Sequence, residues 1–221
     1  MEETDSISNL KYRMDGKFKM PCKLADGTLQ KNFTLYLFSF LRDNKYIGPE
    51  EHFHVLVLGN IQGKDNVLTR IESACTYAHL YGSQLCDCQF QLQEALIKIS
   101  KNQSGIYIYC LDQHGRGTGI VNHVKVYQAE QELGLDTVQA HLKFSLPADA
   151  RNYEPIITIL NYFNVKGIKL MTNNPKRLDF FRKYNIPVER IPHQGPLNSF
   201  NKNELKIKKE KLGHLYAYEF K

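Results

Sequence analysis

Short β-rich runs alternate with helical runs between residues 106 and 190, and this alternation constrains the fold more than any other feature of the sequence. The runs predicted as strands are I-Y-I-Y-C-L at 106–111, G-I-K-L-M at 167–171 and I-P-V-E-R at 186–190. The runs predicted as helices lie at about 120–133, where Gly134 is the stop signal, at 152–163, and after Asn174 and Pro175. Strands joined through helices run parallel, so the pattern predicts β-α-β units with a mainly parallel sheet. Residues 135–148 have neither period and are predicted to be irregular.

The N-terminal part has a different pattern. Strand-like runs between residues 17 and 57 are separated by the turn signals A-D-G at 25–27 and R-D-N at 42–44, which predicts an antiparallel β meander or a partial barrel. V-L-T-R-I at 67–71 reads as a further strand, and apolar residues at helical spacing predict a helix over 89–101. The expected class is therefore α+β or α/β, with the antiparallel part first and the parallel part after it.

Length and charge limit the classes of function. With 221 residues we expect one domain over 1–194, including a loose start at 1–12, and then a polar, Lys-rich tail at 195–221. The chain has no run long enough to span a membrane and no secretory signal, and its odd number of cysteines does not form a disulfide framework. We therefore expect a cytoplasmic protein. The net charge of +6 fits an anionic ligand such as a nucleotide, whereas no basic run interleaved with aromatic residues points to nucleic acid.

Three cysteines lie within fourteen residues, as C-x10-C-x-C at Cys75, Cys86 and Cys88. Thiolates prefer zinc, and a site with three protein ligands leaves one tetrahedral position free for a water molecule. Other interpretations stay open from the spacing alone. The cysteines could be small buried apolar residues, Cys86 and Cys88 could alternate on one strand, and His79 could be a fourth ligand that makes the site structural.

Other polar groups could bind an anion. H-G-R-G-T-G at 114–119 follows a predicted strand and precedes a helix, an arrangement that can offer backbone N–H groups to a phosphate, although such glycines can also be only turn glycines. Lys176 and Arg177 in a first helical turn oppose the helix dipole, which makes sense if an anion binds there. Asp149 can be explained as a helix N-cap, and Arg151 as a solvated residue of the first turn.

Taken together, these motifs resemble those of the GTP cyclohydrolase II family. The resemblance covers about residues 67–192, with a weaker echo in K-L-G-H-L at 211–215. It rests on the joint presence and order of C-x10-C-D-C-x-F-Q-L, H-G-R-G-T-G-I-V-N, L-D-T-V-Q-A, D-A-R-N-Y and L-M-T-N-N-P-K-R.

The resemblance implies a reaction and a role for several residues. Cys75, Cys86 and Cys88 match the family's zinc ligands, and the zinc ion would activate water for hydrolysis of the guanine imidazole ring at C8, with release of formate. Arg151 matches a nucleophile that attacks the α-phosphorus and releases pyrophosphate. Asp149 matches the proton acceptor beside it, and Tyr127 matches an active-site tyrosine.

The resemblance also implies a GTP site, Mg²⁺ bound with the triphosphate, and a homodimer. Gln91 matches a residue on the guanine side. The other residues that match the family's nucleotide contacts are Arg70, Ile71, Glu72, Ser73, Ala74, His114, Gly115, Arg116, Thr137, Thr172, Lys176 and Arg177.

The chain departs from the family pattern at the substrate. The family usually has a histidine, an acidic residue and a carboxylate where this chain has Glu72, Ala74 and His114, and a lysine where it has Arg177. Two alternatives to full GTP turnover follow. One is an enzyme that acts on another purine nucleotide or stops at a formamidopyrimidine, and the other is a zinc-containing nucleotide-binding protein without turnover.

Overall fold

The computed structural model describes residues 3–4, 10–46 and 48–220. Its strands are β1 (Glu3–Thr4), β2 (Lys11–Lys19), β3 (Cys22–Lys23), β4 (Leu29–Gln30), β5 (Thr34–Asn44), β6 (Gly48–Leu58), β7 (Val67–Ser73), β8 (Gly105–Cys110), β9 (Ile168–Met171) and β10 (Val188–Ile191). Its helices are α1 (Thr76–Tyr81), α2 (Cys88–Asn102), α3 (His114–Gly117), α4 (Ile120–Leu133), α5 (Thr137–Lys143), α6 (Glu154–Tyr162), α7 (Pro175–Lys183) and α8 (Lys202–Leu212).

Eight of these strands form one mixed sheet in the order β1-β2-β5-β6-β8-β7-β9-β10, and β3 and β4 form a separate pair. Neighbouring strands are antiparallel from β1 through β5 and β6 to β8. Strands β8, β7, β9 and β10 are parallel to one another. The predicted class, an antiparallel meander followed by β-α-β units with a mainly parallel sheet, is confirmed.

Alternation along the strands gives the sheet two apolar faces. In β8, Ile106 and Ile108 pack into one core cluster, whereas Tyr107 packs into another, because successive side chains of a strand point to opposite faces. Helices α6 and α7 cover the first face, and α2 covers the second through Ala95 and Ile99. The sheet is therefore enclosed between helices, and its strand ends are left to form the site.

Most predicted helices are confirmed. The predicted helix at 120–133 is α4, with Gly134 in the left-handed conformation as its C-cap. Helix α7 begins at Pro175, and the Lys176 N–H donates to the Asn174 side chain at 3.0 Å. Helix α2 extends the predicted 89–101 segment by one residue at each end.

The prediction that residues 135–148 are irregular is wrong, because they contain α5. The Asp136 carboxylate accepts hydrogen bonds from the N–H groups of Val138 and Gln139 at 2.9 and 3.0 Å, and the Gln139 side chain accepts from the Asp136 N–H at 2.9 Å. This reciprocal capping box starts the helix. Its signal, D-T-V-Q, is visible in the sequence.

Three smaller predictions are also corrected. The turn expected at 42–44 comes later, since β5 continues to Asn44 and the turn occupies residues 45–46. The N-cap of α6 is Tyr153, so Asp149 is no helix cap. Cys88 begins α2, so Cys86 and Cys88 do not share a strand.

Both chain ends contain regular secondary structure where loose segments were expected. Of the start expected to be loose, residues 1–2 and 5–9 lie outside the described residues, while residues 3–4 and 11–12 belong to strands. In the C-terminal segment, α8 packs against the rest of the molecule with Leu205 fully buried. No helix in the described part of the chain combines the length and apolar character that crossing a membrane requires.

Candidate active site

The three predicted cysteine ligands meet in space. Cys75 lies at the end of β7 just before α1, Cys86 lies in the loop that follows α1, and Cys88 is the first residue of α2. Their sulfur atoms all lie within 4.8 Å of one another, and those of Cys75 and Cys86 are 3.9 Å apart. None of the three forms a disulfide, and the other two cysteines lie elsewhere, with Cys110 in the core.

His79 does not complete this cluster. Its Nδ1 accepts hydrogen bonds from the Cys75 N–H at 3.3 Å and from the Tyr109 hydroxyl at 2.9 Å. Among the described residues, the group that could hold a metal ion consists of the three cysteines alone. The interpretation of a closed structural site with His79 as fourth ligand is therefore wrong, and one position of a tetrahedral ion would remain open to the cavity.

The chemistry of the donor set fits a soft divalent cation. The three sulfurs are packed together and largely buried, and the pKa of Cys75 is raised to about 12. The hydrogen bond with Cys86 lowers this pKa, but the hydrogen bond with Cys88 and burial raise it. A buried thiol trio of this kind ionises only when a cation offsets the three negative charges, and thiolate donors at tetrahedral spacing suit zinc.

The cysteines line a cavity at the carboxyl ends of the parallel strands, where ligands bind in open α/β sheets. The structure brings most of the sequence-predicted residues to its wall. They are Arg70, Glu72, Ser73, Ala74, Gln91, Gly115, Arg116, Tyr127, Thr137, Arg151, Thr172 and Arg177.

Four predicted residues do not line the cavity. The side chain of Ile71 is fully buried in the core, and only its carbonyl is used, as the acceptor for Arg177. Lys176 is exposed. His114 is half-buried, with its Nδ1 3.4 Å from the Thr76 hydroxyl. Asp149 does not line it either, but it pairs with Arg151, which does.

A buried ion pair forms one wall. The Arg70 Nε donates to Glu72 at 2.9 Å, and its other nitrogens donate to the Met171 carbonyl at 2.9 Å and to Gln91 Oε1 at 2.5 Å. The Gln91 amide in turn donates to Asp87 at 2.6 Å. Glu72, where the resembling family usually has a histidine, therefore serves as the counter-ion of Arg70.

Arg177 connects the core to the cavity. Its guanidinium donates to the Ile71 carbonyl at 2.7 Å, to the Tyr153 hydroxyl at 3.1 Å and to the Ser73 hydroxyl at 3.4 Å. None of these acceptors is charged, so its positive charge can attract an anion in the cavity.

The glycine-rich turn brings Arg116 into the cavity by an unusual backbone path. Gly115, Arg116 and Gly117 have φ angles of 54°, 58° and 82°. A Cβ on Gly117 would lie 2.9 Å from backbone atoms of Ala150 and Arg151, so only glycine lets the two loops approach this closely. The N–H groups of Thr118 and Gly119 donate to carbonyls within the turn itself. The Arg116 side chain is therefore a better candidate for binding an anion than the backbone N–H groups of Thr118 and Gly119.

Asp149 and Arg151 form a two-pronged ion pair. The Arg151 Nε and Nη2 donate to the two carboxylate oxygens at 2.8 and 2.6 Å. Burial alone would raise the pKa of Asp149, but the charge and hydrogen bonds of Arg151 bring it well below its usual range. The pair is thus fully charged near neutral pH, and the carboxylate already lies at proton-transfer distance from the guanidinium.

Aromatic rings flank the cysteine cluster. The Tyr127 ring stacks on His123 with centroids 4.8 Å apart, and Tyr77 meets Tyr127 edge-on at 5.8 Å. Burial, followed by the neighbouring Cys86, raises the pKa of Tyr127 far above its usual value. The hydroxyl of Tyr127 therefore stays protonated and can donate a hydrogen bond.

Sequence reasoning missed several residues of the cavity wall, namely His123, Glu130, His141, Glu204, Lys208, His214 and Tyr216. Glu130 stands one helical turn after Tyr127, so the predicted helix could have indicated it. The buried ring nitrogens His123 Nδ1, His141 Nε2 and His214 Nδ1 have no partner. For Glu204 and Lys208 no local signal exists, because α8 reaches the cavity only through tertiary packing.

Comparison with known proteins gives one consistent result. The family model described as GTP cyclohydrolase II matches residues 23–192. The chain is 40% identical to GTP cyclohydrolase-2 of Picrophilus torridus over 163 residues, which are 73% of this chain and 84% of that protein. It is 41% identical to GTP cyclohydrolase-2 of Aeromonas hydrophila over 170 residues, which are 76% of this chain and 85% of that protein.

A third relative is longer. The chain is 40% identical over 208 residues to the riboflavin biosynthesis protein RibBA of Aquifex aeolicus, and these residues are 94% of this chain but 50% of that protein. The chain thus spans about half the length of this relative.

Proposed function

The chain belongs to the GTP cyclohydrolase II family, and on this premise we propose that it opens the imidazole ring of GTP in riboflavin biosynthesis. The products are formate, pyrophosphate and 2,5-diamino-6-(5-phosphoribosylamino)pyrimidin-4(3H)-one. The observation that carries the proposal is that the three-cysteine cluster and Arg151 line the same cavity. One nucleotide can therefore meet a metal at its base and a nucleophile at its α-phosphate.

Cys75, Cys86 and Cys88 hold zinc in this proposal. When bound there, zinc supplies a Lewis acid that makes a water molecule nucleophilic near neutral pH. Tyr127 lies beside the cluster with a protonated hydroxyl, which suits it to hold the ring nitrogen or the attacking water by a hydrogen bond.

Arg151 and Asp149 act at the α-phosphorus. The two hydrogen bonds to Asp149 fix the orientation of the Arg151 guanidinium. Asp149 accepts the proton that Arg151 loses as the nitrogen–phosphorus bond forms and pyrophosphate leaves. Arg116 and Arg177, with the hydroxyls of Thr137 and Thr172, supply cations and donors for the phosphates. Mg²⁺ accompanies the triphosphate, held mainly by phosphate oxygens and water.

Recognition of the base falls to Gln91 in this proposal. Both ends of the Gln91 amide are engaged, by Arg70 and by Asp87. Each end of the amide keeps one further position, an N–H donor and an oxygen lone pair, so Gln91 can pair with guanine while it holds both partners. Arg70 and Glu72 then position Gln91, and they do so as a charge-balanced pair.

The alternative function is a partial reaction or another purine nucleotide. Ala74 is buried at the cavity wall and has no side-chain donor or acceptor, and Glu72 is already occupied by Arg70. The carboxyl group that the family pattern has at position 74 is therefore not offered to the base, and Glu72 does not replace it. This supports a formamidopyrimidine product, or binding without turnover, as the second candidate.

One assay separates these functions. The zinc-containing chain is incubated with GTP and Mg²⁺, and formate, pyrophosphate and the pyrimidine are quantified by mass spectrometry. Formate and pyrophosphate released in equal amounts support the full reaction. Pyrophosphate or a formamidopyrimidine without formate supports the partial reaction, and tight GTP binding without any product supports a nucleotide-binding protein without turnover.

We also propose a cytoplasmic homodimer with residues 1–194 as one domain. Five cysteines without a disulfide fit a reducing compartment. The exposed apolar residues of α1 and α4 include Leu80, Tyr81, Val121 and Val124, and Val124 lines a groove between these helices. Exposed apolar side chains of this size are typical of a protein interface. Light scattering with Val121→Glu tests it, since a dimer through this face should dissociate.

A further inference from the structure

Helix α8 places one carboxylate between two cations inside the cavity. Glu204 accepts from the Arg116 Nη2 at 2.9 Å and from the Lys208 ammonium at 3.0 Å. All three side chains are largely buried, with exposed fractions of 17% for Glu204, 11% for Arg116 and 14% for Lys208. Glu204 and Lys208 belong to a C-terminal segment whose lysines the sequence assigned to a solvated tail.

The segment is fixed firmly to the rim of the cavity. Lys211 donates to Asp136, the N-cap of α5, at 2.5 Å. After the helix, the Leu215 N–H donates to the Asn173 carbonyl at 2.8 Å, and Arg190 donates to the Leu215 carbonyl at 2.6 Å. Because the last turn of α8 and the residues after it are tied to the body, the side chains of this helix stand at fixed positions in the wall.

The Arg116 guanidinium is where an anion is expected. The same Nη2 that donates to Glu204 also donates to the Thr137 hydroxyl at 3.0 Å, and both Arg116 and Thr137 match nucleotide contacts. A carboxylate in that place makes the charge-assisted bonds that a phosphate oxygen would make. Lys208, one helical turn away from Glu204, extends the positive surface with a flexible point charge that suits phosphate.

Glu204 is charged near neutral pH. Burial would raise its pKa, but the charges of Lys208 and Arg116 keep it below its ordinary value. A polyphosphate that enters the cavity therefore meets the charged Glu204 carboxylate between the two cations. The carboxylate and a phosphate group cannot accept hydrogen bonds from the same donors at the same time.

We propose that α8 contributes to the polyphosphate subsite through two residues: Lys208 binds the polyphosphate together with Arg116, and Glu204 occupies both cations until the nucleotide displaces it. The ligand class rests on the proposed function, whereas the exchange between carboxylate and phosphate rests on the Arg116–Glu204–Lys208 contacts. Glu204 then sets the affinity for phosphates, and Lys208 is a binding residue supplied by the C-terminal segment.

The test measures binding of inorganic tripolyphosphate to the full-length, zinc-containing chain by calorimetry, at fixed salt and Mg²⁺. Lys208→Met should weaken binding at least tenfold, and Glu204→Gln should strengthen it at least threefold. Lys206→Met is the matched control, because Lys206 lies on the same helix, is 45% exposed and pairs with Glu210 at 3.9 Å. It should change binding less than twofold.

Folding and function are checked separately. Zinc content and thermal unfolding of each variant verify the fold, and Lys208→Arg, which keeps the charge, should bind within about threefold of the parent chain. The proposal is overturned if Lys208→Met binds like Lys206→Met, or if Glu204→Gln weakens binding, which would make Glu204 only a support for Arg116.

Tripolyphosphate carries no guanine, so this result does not depend on ring opening. The expected binding pattern without formate release from GTP would refute the proposed function alone. Formate release with tripolyphosphate binding indifferent to Lys208 would refute this inference alone.

Discussion

Replacing Glu72 by Gln should destabilise the protein strongly, because it leaves the charge of Arg70 buried without a counter-ion. The exposed fraction of each side chain is only 4%, and their closest N–O distance is 2.8 Å. Breaking a buried pair by removing one partner costs about 3–5 kcal/mol.

The hydrogen bonds that Arg70 keeps in the variant reduce this expected cost. Arg70 keeps two neutral acceptors, the Met171 carbonyl and Gln91 Oε1, and the amide oxygen of the new glutamine can still accept from the Arg70 Nε. Only the charge is lost, while the hydrogen-bond geometry is retained. We therefore expect a loss of about 2–4 kcal/mol in the free energy of unfolding.

A matched control exists on the same sheet. Glu50 pairs with Arg13 at 2.6 Å, but their side chains are 31% and 33% exposed. Glu50→Gln should cost about 0–1 kcal/mol, because solvent screens the charge that remains. Urea unfolding of the two variants at pH 7, with equal zinc loading, compares the same chemical change at a buried and at an exposed site.

A double variant sharpens the test. Arg70→Met combined with Glu72→Gln removes both charges, so it should be less destabilised than Glu72→Gln alone if an unpaired buried charge is the cause. The reasoning is refuted if Glu72→Gln costs no more than Glu50→Gln, or if the double variant is the less stable of the two.

Three further predictions concern the cavity. Cys86→Ser should abolish formate release and lower the zinc content while sparing pyrophosphate release, and Cys22→Ser, which changes a thiol outside the cluster, should alter none of these. Asp149→Asn should slow pyrophosphate release by about 100-fold or more at unchanged zinc content, because an amide cannot accept the proton of Arg151; an unchanged rate would exclude Asp149 as the base. Burial, and then the charge of Glu204, raises the pKa of Glu130 to about 7. The protonated Glu130 side chain therefore contributes its full stability below about pH 4.5, and this contribution is lost as the pH rises through 7. The free energy of unfolding of Glu130→Gln, measured relative to that of the parent, should therefore rise by about 1–3 kcal/mol between pH 5 and pH 8. A difference that does not change with pH would contradict the raised pKa of Glu130.

The fold was predictable because its signals are local. Gly134 ends α4 in a left-handed cap, and Asn174 with Pro175 begins α7, so single residues determine where these elements begin or end. The capping box at Asp136 was equally local, and it was missed because the apolar period of α5 is short. The mixed sheet followed from two sequence patterns, namely successive strand-like runs in the N-terminal part and alternating strands and helices in the C-terminal part.

The site was predictable in part. The spacing of the cysteines anticipated their cluster, but the match of residues 70 to 74 to nucleotide contacts did not distinguish the two faces of the strand. Arg70 and Glu72 point to the cavity, whereas Ile71 between them points into the core, because β7 alternates its faces. The pairing of Arg116 with Glu204 spans 88 residues of sequence, and no local pattern could have indicated it.

The charge state of the Asp149–Arg151 pair explains why the cavity needs other cations. Burial lowers the pKa of Arg151, but Tyr153 and Asp149 raise it far above its ordinary value, so a free neutral guanidine is not available as a nucleophile. In the proposed reaction, proton transfer to Asp149 must therefore accompany attack on the phosphorus. The carboxylate loses its charge in that step, whereas the guanidinium exchanges one proton for the bond to phosphorus and keeps its charge. Pyrophosphate takes up the electron pair of the broken P–O bond and gains a negative charge as it departs, while Arg151 is held by its bond to the α-phosphorus. Arg177, with its neutral partners, and Arg116 and Lys208, once freed from Glu204, are the groups that can hold the departing charge.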